Sequence, residues 1–475
     1  MRSLKKNLFL TVLFFFTGLL FALAQKKWTL QECIDYALKN NIQVKQNQLN
    51  TELSKEQLIQ NSAALLPNLN GNATHNYGYG RYLDPFTNQF IDQRNQTNNF
   101  SFTSNVILFN GFQLQNTLRQ SQLNYVSSKH DVDKIKNDIS LNIAAAYLQI
   151  LLNQELLNTT KQQLSVSNVQ SERTKKLVSA GSLTQGNLLD VESQVATEEL
   201  NVVNAQNQLD LSYLSLVQIM DLDSVKEFSI FTPDFSSFNQ SLIATDSSQI
   251  FSYAEKNLPE IKSADTKVLS AQKGIAIAQG GRSPRLMLNS SFGTGYSESR
   301  QRMIGSGPIQ QEIIGYYNGD PLYANYPGTP IYEKIPFKDQ LNDNLSKSIG
   351  VSLSIPFLNG WQVQTTINKS KISLMNAKLN ADLVRNQVRK SIQQAYADAV
   401  AAIKRYKATE KSVLAIREAF KYTEQRYAVG LINSFDLVTS KNNLNKVESQ
   451  LLQAKYDSIF KQKVLDFYQG KQLTF

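Results

Sequence analysis

The feature that most constrains the fold of this 475-residue chain is an internal duplication. Segment 33–49 aligns with segment 250–266 at an offset of 217 residues, and later parts of the chain align with each other at an offset of 249. Residues that are identical in the two copies are Ala37 and Ala254, Asn40 and Asn257, Pro67 and Pro284, Gly111 and Gly360, Tyr147 and Tyr396, and Gly181 and Gly430. Because duplicated sequences fold as repeated structural units, we expect two copies of one unit, at 25–249 and 250–475.

Each copy contains segments in which apolar and polar residues alternate. In the stretch 98–111, NNFSFTSNVILFNG, Phe100, Phe102 and Val106 fall on one side, and the polar residues between them fall on the other. A period of two is typical of β-strands with one apolar face. We therefore predict one strand pair within 68–109 and another within 285–357.

The two strands of the second copy are separated by a segment of unusual composition. Segment 299–345 holds five of the chain's eleven prolines together with five tyrosines. Long segments rich in Pro and Gly between regular elements are typical of exposed loops. We therefore predict that 299–345 is a long, irregular loop.

Long helices are predicted after each strand pair. Segments 112–180 and 361–429 contain neither glycine nor proline, and each could extend on the order of 100 Å if it were wholly helical. Apolar residues in the second segment recur three and four positions apart, which is a coiled-coil spacing. Turns are predicted after these segments, and the helices that follow them are expected at 187–220 and 435–468. Shorter helices are predicted before the strand pairs, at 30–66 and 250–279.

The composition argues against several classes of function. Segment 1–24 has basic residues, an apolar run and an A-x-A site, as in a secretory signal peptide. The formal charge of +10 comes from lysines and arginines scattered among acidic and amide residues, which argues against nucleic-acid binding. Acidic pairs such as Glu198 and Glu199 are expected to lie on a solvated helix face.

The sequence contains no pattern that predicts catalysis. The single cysteine, Cys33, cannot form an intrachain disulfide, and it has no metal-ligand spacing with His75 or His130. Nucleotide-binding and nucleophile-elbow motifs are absent from the sequence. We therefore predict no catalytic, cofactor-binding or metal-binding residue.

The strands have the right length to cross a membrane. Strands of about 11 residues, apolar on one face only, span a bilayer at a tilt. Unpaired strand edges are too costly in lipid, and known bacterial barrels begin at about eight strands. Since each chain offers four strands, several chains must share one barrel, with on the order of 8, 12 or 16 strands. The loop at 299–345 would join two strands at the end away from the helices and so face outward.

Several segments together resemble a known family. They are the opening WTLQECIDYALKNN, the two Asn-Gly junctions between strand and helix, and the paired turns VSAGSLTQGNLLDVES and YAVGLINSFDLVTS. On these, the chain resembles the TolC-like outer membrane efflux protein family, also called outer membrane factors. The resemblance covers essentially the whole mature chain.

The resemblance implies an α+β fold in which a long coiled-coil tunnel crosses the periplasm and a homotrimer shares one barrel in the outer membrane. The linker 221–248 would belong to a belt around the middle of the tunnel. The implied function is a passive export duct for drug efflux or type I protein secretion. Its implied partners are a periplasmic adaptor, an inner-membrane transporter and outer-membrane lipid.

The resemblance also assigns roles to the two helix turns. It implies a periplasmic entrance or gate formed by Asp436, Tyr427, Asn187 and Asp190. It further implies adaptor contacts at Gly181, Ser182, Leu183, Gly430 and Leu431. The basic partner expected in the gate is replaced by Ile432. The simpler interpretation is that Asn187 and Asp436 cap the helices that follow the turns.

Two other classes of function remain open from the sequence. One is a structural or adhesive surface protein built on coiled coils. The other is the periplasmic adaptor itself, although an adaptor needs a run of short strands that this sequence lacks. Four strands with one apolar face favour a membrane duct over both.

Overall fold

A computed structural model describes residues 27–83, 88–92, 94–223, 228–233, 235 and 246–474. The predicted signal peptide at 1–24 and most of the linker at 221–248 lie outside these residues. The chain divides into two compact units. The helical unit comprises Met1–Lys55, Leu123–Leu269 and Met375–Phe475, and the sheet unit comprises Glu56–Gln122 and Ser270–Leu374.

The described part of the chain is an α+β fold dominated by long helices. The helices are α1 (Leu30–Asn40), α2 (Ile42–Ala63), α3 (Gln113–Ser179), α4 (Gln185–Met220), α5 (Ser247–Asn257), α6 (Pro259–Gly280), α7 (Phe337–Asp343), α8 (Gln362–Ala428) and α9 (Ser434–Tyr468). The strands are β1 (Lys27–Trp28), β2 (Asn70–Gly78), β3 (Arg81–Leu83), β4 (Phe90–Asp92), β5 (Asn95–Phe109), β6 (Ser229–Ile230), β7 (Arg285–Ser297), β8 (Gln301–Ser306), β9 (Gln310–Tyr317), β10 (Asp320–Tyr326), β11 (Pro330–Lys334) and β12 (Ser346–Ser354). Both α3 and α8 are 67 residues long.

The prediction of one helix before each strand pair is wrong. In the first copy the helix is interrupted at Asn41, whose side-chain oxygen accepts a hydrogen bond of 2.9 Å from the N–H of Gln43 and so starts α2. In the second copy Leu258 is extended, with ψ 133°, because it precedes Pro259, and that proline is the first residue of α6. Both breaks fall at corresponding positions of the duplication.

The helical unit is built around two apolar clusters. The larger includes Cys33, Ala37, Ile143, Tyr147 and Met220. Burial raises the pKa of the Cys33 thiol to about 12, so this cysteine is a buried apolar residue at neutral pH. The smaller cluster includes Ile250, Ala254, Ile261, Ile392 and Ala399. Ala37 and Ala254, which the duplication aligns, are both fully buried.

The sheet unit contains one antiparallel four-stranded sheet, in the order β12-β7-β5-β2. Phe102 lies opposite Phe292 and Val106 lies opposite Leu288, so the apolar faces of β5 and β7 coincide. The outer strands β2 and β12 each pair on one side within the described chain. Among the described residues, none of the helices has a stretch that is both long and apolar enough to cross a membrane.

The prediction that 299–345 is irregular is also wrong. It contains two antiparallel strand pairs, β8 with β11 and β9 with β10, followed by α7. Asn318 and Gly319 have φ values of 52° and 93°, which close the inner hairpin with a tight turn. The fully buried Gln340 anchors α7, because its amide donates to the backbone oxygens of Ser297 and Ile335.

Candidate functional site at the helix turns

The two turns that end α3 and α8 have the same backbone geometry. Gly181 and Gly430 have φ values of 73° and 76°. The backbone N–H groups of both turns donate to carbonyls in the preceding helical turn: Gly181 to Val178 at 2.9 Å, Ser182 to Leu177 at 2.9 Å, Gly430 to Tyr427 at 3.0 Å and Leu431 to Arg426 at 2.9 Å. This arrangement is the Schellman motif, which favours glycine at the position of positive φ.

The residues that cap the next helices are not those considered from the sequence. Helices α4 and α9 begin at Gln185 and Ser434, slightly earlier than predicted. The cap of α9 is Asn433, whose side-chain oxygen accepts a hydrogen bond of 2.8 Å from the N–H of Asp436. Asn187 and Asp436 are therefore the third residues of their helices, and the capping interpretation of both is wrong.

A buried serine joins the two turns. The Ser434 hydroxyl lies 2.7 Å from the Asp190 carboxylate and 2.9 Å from the side-chain oxygen of Asn187, so its proton is shared between two oxygens of α4. Ser434 is only 2% exposed. The structure thus brings together two of the predicted gate residues, through a serine that sequence reasoning did not place in the site.

The other two predicted gate residues lie apart from this contact. Asp436 is exposed, and in the first turn of α9 its carboxylate lies at the positive end of the helix dipole. The Tyr427 hydroxyl is buried and has no hydrogen-bond partner within the described chain. Within the described residues, the Tyr427 hydroxyl therefore forms no hydrogen bond with the other predicted gate residues.

A second polar cluster lies further along the same helices. Gln194 of α4 and Asn442 of α9 exchange side-chain hydrogen bonds of 2.8 and 3.1 Å. Lys441 lies 3.4 Å from Glu198, which is 3% exposed, and it also donates to the Ser167 hydroxyl. The expectation that Glu198 is solvated is therefore wrong, although Glu199 is exposed. This cluster connects α3, α4 and α9.

The turns also present apolar side chains to solvent. Val429 is 71% exposed and Phe435 is 69% exposed. Among the predicted adaptor-contacting residues, Leu431 is 70% exposed, Gly181, Ser182 and Gly430 are exposed, and Leu183 is half-buried. Apolar side chains clustered beside polar ones are typical of a surface that another protein covers.

Metal chemistry has no site in the part of the chain that the structure describes. Within it, no group of three or more His, Cys, Asp or Glu side chains is arranged to hold a metal ion. The groups at the turns are hydroxyls, amides and carboxylates that bond to one another. This arrangement can position helices and hold a negative charge at the turn.

Comparisons with known proteins agree with this architecture. The chain is 21% identical over 440 residues to the outer membrane protein TolC of Escherichia coli strain K12, covering 91% of this chain and 80% of TolC. It is 20% identical over 431 residues to the outer membrane efflux protein BepC of Brucella suis biovar 1, covering 91% of this chain and 83% of BepC. The crystal structure of the outer membrane protein VceC from Vibrio cholerae shares the fold, with a TM-score of 0.73, 16% identity and coverage of 93% of this chain and 96% of VceC.

The family match divides at the boundary between the two copies. The family described as outer membrane efflux protein matches residues 33–221 and 250–470, which is most of the chain. The first matched segment carries the turn at Gly181 and the second carries the turn at Gly430. The protein therefore belongs to the outer membrane efflux protein family.

Proposed function

We propose that the protein is a passive export duct in the outer membrane. Three chains would close their sheets into one twelve-stranded barrel, and their long helices would form a tunnel through the periplasm. An inner-membrane transporter would supply the energy, and a periplasmic adaptor would connect it to the helix turns. Family membership and the localisation of its named relatives support this proposal.

The observation that carries the proposal is the open edge on each side of the sheet. On the outer strand β12, Ile349, Val351 and Leu353 are 77%, 63% and 61% exposed. An apolar face of this kind suits lipid, but unpaired backbone groups cost several kcal/mol each there. Pairing β12 of one chain with β2 of the next removes both open edges, and a closed ring leaves none.

Each strand of the four-stranded sheet is next to one long helix along the chain, and these helices lie side by side in the same order as the strands. Side-chain contacts in the helical unit place α2 beside α3, α3 beside α6, and α6 beside α8. The two helices at the ends of this row present exposed apolar residues, which are Leu49 and Leu53 on α2 and Met375 and Leu379 on α8. Because exposed apolar residues are stabilised by burial, we expect a neighbouring chain to pack against α2 and another against α8, as a closed tunnel requires.

The helix turns supply the proposed contact with other proteins and the proposed entrance. The exposed Leu431, Val429 and Phe435 form a surface for a periplasmic adaptor. Three copies of Asp436 around one axis would raise the local concentration of cations in a narrow entrance. The shared proton of Ser434 would hold Asn187 and Asp190 against α9 while the entrance is closed.

The remaining parts of the proposal concern topology and chemistry. Segment 299–345 would face the cell exterior, because it joins β7 to β12 at the end of the sheet away from α6 and α8. The protein would act without catalysis and without a cofactor, since the residues at the turns only bind and orient one another. Its cargo would be either small molecules or secreted proteins.

Conductance tests the proposed function directly. Purified protein added to a planar lipid bilayer should give long-lived steps of ionic current, and the protein should stay in the outer-membrane fraction after carbonate washing. An adhesive or adaptor protein would give no current steps. Extraction by carbonate together with silent bilayers would contradict the duct.

A further inference from the structure

A cavity of about 580 Å³ lies within the helical unit between α3, α6 and α8. Tyr468 of α9 also lines it. Cavities of roughly 300–1,000 Å³ with mainly apolar walls and a few polar groups are typical of small-molecule sites. The apolar walls are formed by Ala264, Ala377, Ala381, Leu383, Val384 and Val388.

Small side chains create this space. Ala264 faces the cavity from α6, and Ala377 and Ala381 face it from α8. Protein interiors are normally packed to high density, so larger residues at these positions would fill the gap. Three alanines on two facing helices therefore leave room for a molecule larger than water.

Most of the charged groups around the cavity are already paired. Lys267 lies 2.9 Å from Asp131, which also accepts a hydrogen bond from Ser263. Lys134 lies 2.6 Å from Asp138. These two lysines and two aspartates balance one another, so they leave no net charge for a ligand.

Glu260 is the exception. It is the second residue of α6, and within the described chain no lysine or arginine forms an ion pair with it. Burial raises the pKa of its carboxyl, whereas its own backbone N–H and the positive charge of Lys134 lower it, and the negative charge of Asp138 raises it by less. The corresponding residue of the first copy is Gln43, so the repeated fold does not require a carboxylate at this position.

We propose that this cavity binds a small organic cation with an apolar body and that Glu260 is its counter-ion. The charged group would lie against the unpaired carboxylate, and the apolar body would cover the alanine and valine walls. The ring of Tyr468 offers a further face on which a cation is attracted. A bare metal ion would find too few ligands, because the described residues contain no group of three metal-binding side chains.

The test uses two probe ions of the same shape and opposite charge. Binding of tetraphenylphosphonium and of tetraphenylborate to the full protein in zwitterionic nanodiscs is measured by equilibrium dialysis, with empty nanodiscs subtracted. We expect saturable binding of the phosphonium only, weakened at least fivefold by Glu260→Gln. The matched control Glu56→Gln, at an exposed glutamate of α2, should leave the affinity unchanged.

A pH series provides a second readout. The charged or titratable groups that line the cavity with Glu260 are Lys134, Asp138, Asp131 and Lys267 from α3 and α6, and Tyr468 from α9, while the polar residues from α8 are the neutral Asn380, Gln387 and Ser391. Phosphonium affinity should fall as the pH drops through the raised pKa of Glu260, and the Glu260→Gln variant should show no such step.

Two outcomes would overturn the proposal. One is an affinity of Glu260→Gln within twofold of the unchanged protein, and the other is equal binding of both probe ions. Neither outcome bears on the duct, because conductance is measured separately and does not depend on this cavity. Silent bilayers with intact phosphonium binding would conversely contradict the duct and leave the cation site standing.

Discussion

At the scale of single residues, a change at Asp436 tests whether this residue serves the proposed entrance or only stabilises its helix. Its N–H is held by the side chain of Asn433, and its own carboxylate is exposed. We expect Asp436→Asn to lower the free energy of unfolding by less than about 1 kcal/mol, because an exposed charge at a helix N-terminus contributes little. The same change should weaken the preference for cations, because three charges leave the proposed entrance. Reversal potentials in planar bilayers under a salt gradient measure this preference.

Asn433 provides the matched control for that variant. Asn433→Ala removes the helix cap and should lower the free energy of unfolding by about 1 kcal/mol, with little effect on ion selectivity. Unchanged selectivity in Asp436→Asn would remove Asp436 from the entrance.

The buried pair of Lys441 and Glu198 gives a second prediction at this scale. Lys441→Met would leave a carboxylate that is 3% exposed without its cation, and the cost of such a change is about 3 kcal/mol. Chemical denaturation followed by circular dichroism measures the loss. The double variant Glu198→Gln with Lys441→Met should recover most of the stability, and a single variant as stable as the original would show that the pair contributes nothing.

Sequence reasoning at this scale found part of the site. The duplication placed Asn187 and Asp436 at corresponding positions, and the structure has both as the third residue of a helix. The sequence did not indicate that Ser434 and Glu198 belong to the site, because serine and glutamate are common on solvated helix faces. Their burial depends on which helix packs against them, and that is decided by contacts between residues far apart in the chain.

At the scale of elements, the sequence was informative where one pattern ran for many residues. The absence of glycine and proline indicated α3 and α8, and alternation indicated β5, β7 and β12. The breaks at Asn41 and Leu258 and the hairpins of 299–345 were missed. A short hairpin is stabilised by pairing between its two strands. Prolines and glycines in the sequence of 299–345 are typical of loops, so they gave no indication of that pairing.

Two corresponding glycines should respond differently to the same substitution. Gly111 and Gly360 both have positive φ, at 68° and 58°. An added Cβ at Gly111 would lie 2.4 Å from the backbone oxygen of Gly280, whereas one at Gly360 would meet no atom within 4 Å. Gly360→Ala should therefore cost only backbone strain of about 1–2 kcal/mol, and Gly111→Ala should cost more and reduce assembly.

Thermal unfolding and the yield of protein in the outer-membrane fraction measure both effects. Gly360→Ala is the control, because it adds the same methyl group at a position where no other atom lies within 4 Å. Equal losses in the two variants would show that the close approach to Gly280 is unimportant.

The hairpin of β9 and β10 tests the proposed topology. An epitope inserted between Asn318 and Gly319 lies in a tight turn between exposed strands, so we expect it to be tolerated and to be labelled by antibody on intact cells. The same epitope at Gly181, in the proposed periplasmic turn, should be labelled only after the outer membrane is opened. The opposite pattern would reverse the orientation.

At the scale of the whole molecule, strand counting limits the assembly but does not determine it. In a lipid bilayer, a four-stranded sheet with two open edges would have to pair with the sheets of other chains, and barrels of several sizes satisfy that requirement. In the proposed assembly, the number of copies would depend on the tilt of the strands and on the fit between α2 and α8 of neighbouring chains. A single sequence does not specify these quantities, so the trimer rests on resemblance to the family.

The mass of the solubilised protein tests the central claim, which is that the chain completes its barrel only with other copies of itself. Native mass spectrometry of protein extracted in mild detergent should give three times the mass of the mature chain. The complex should hold together until the sheet unfolds. A folded monomer with its β-sheet intact would contradict the shared barrel.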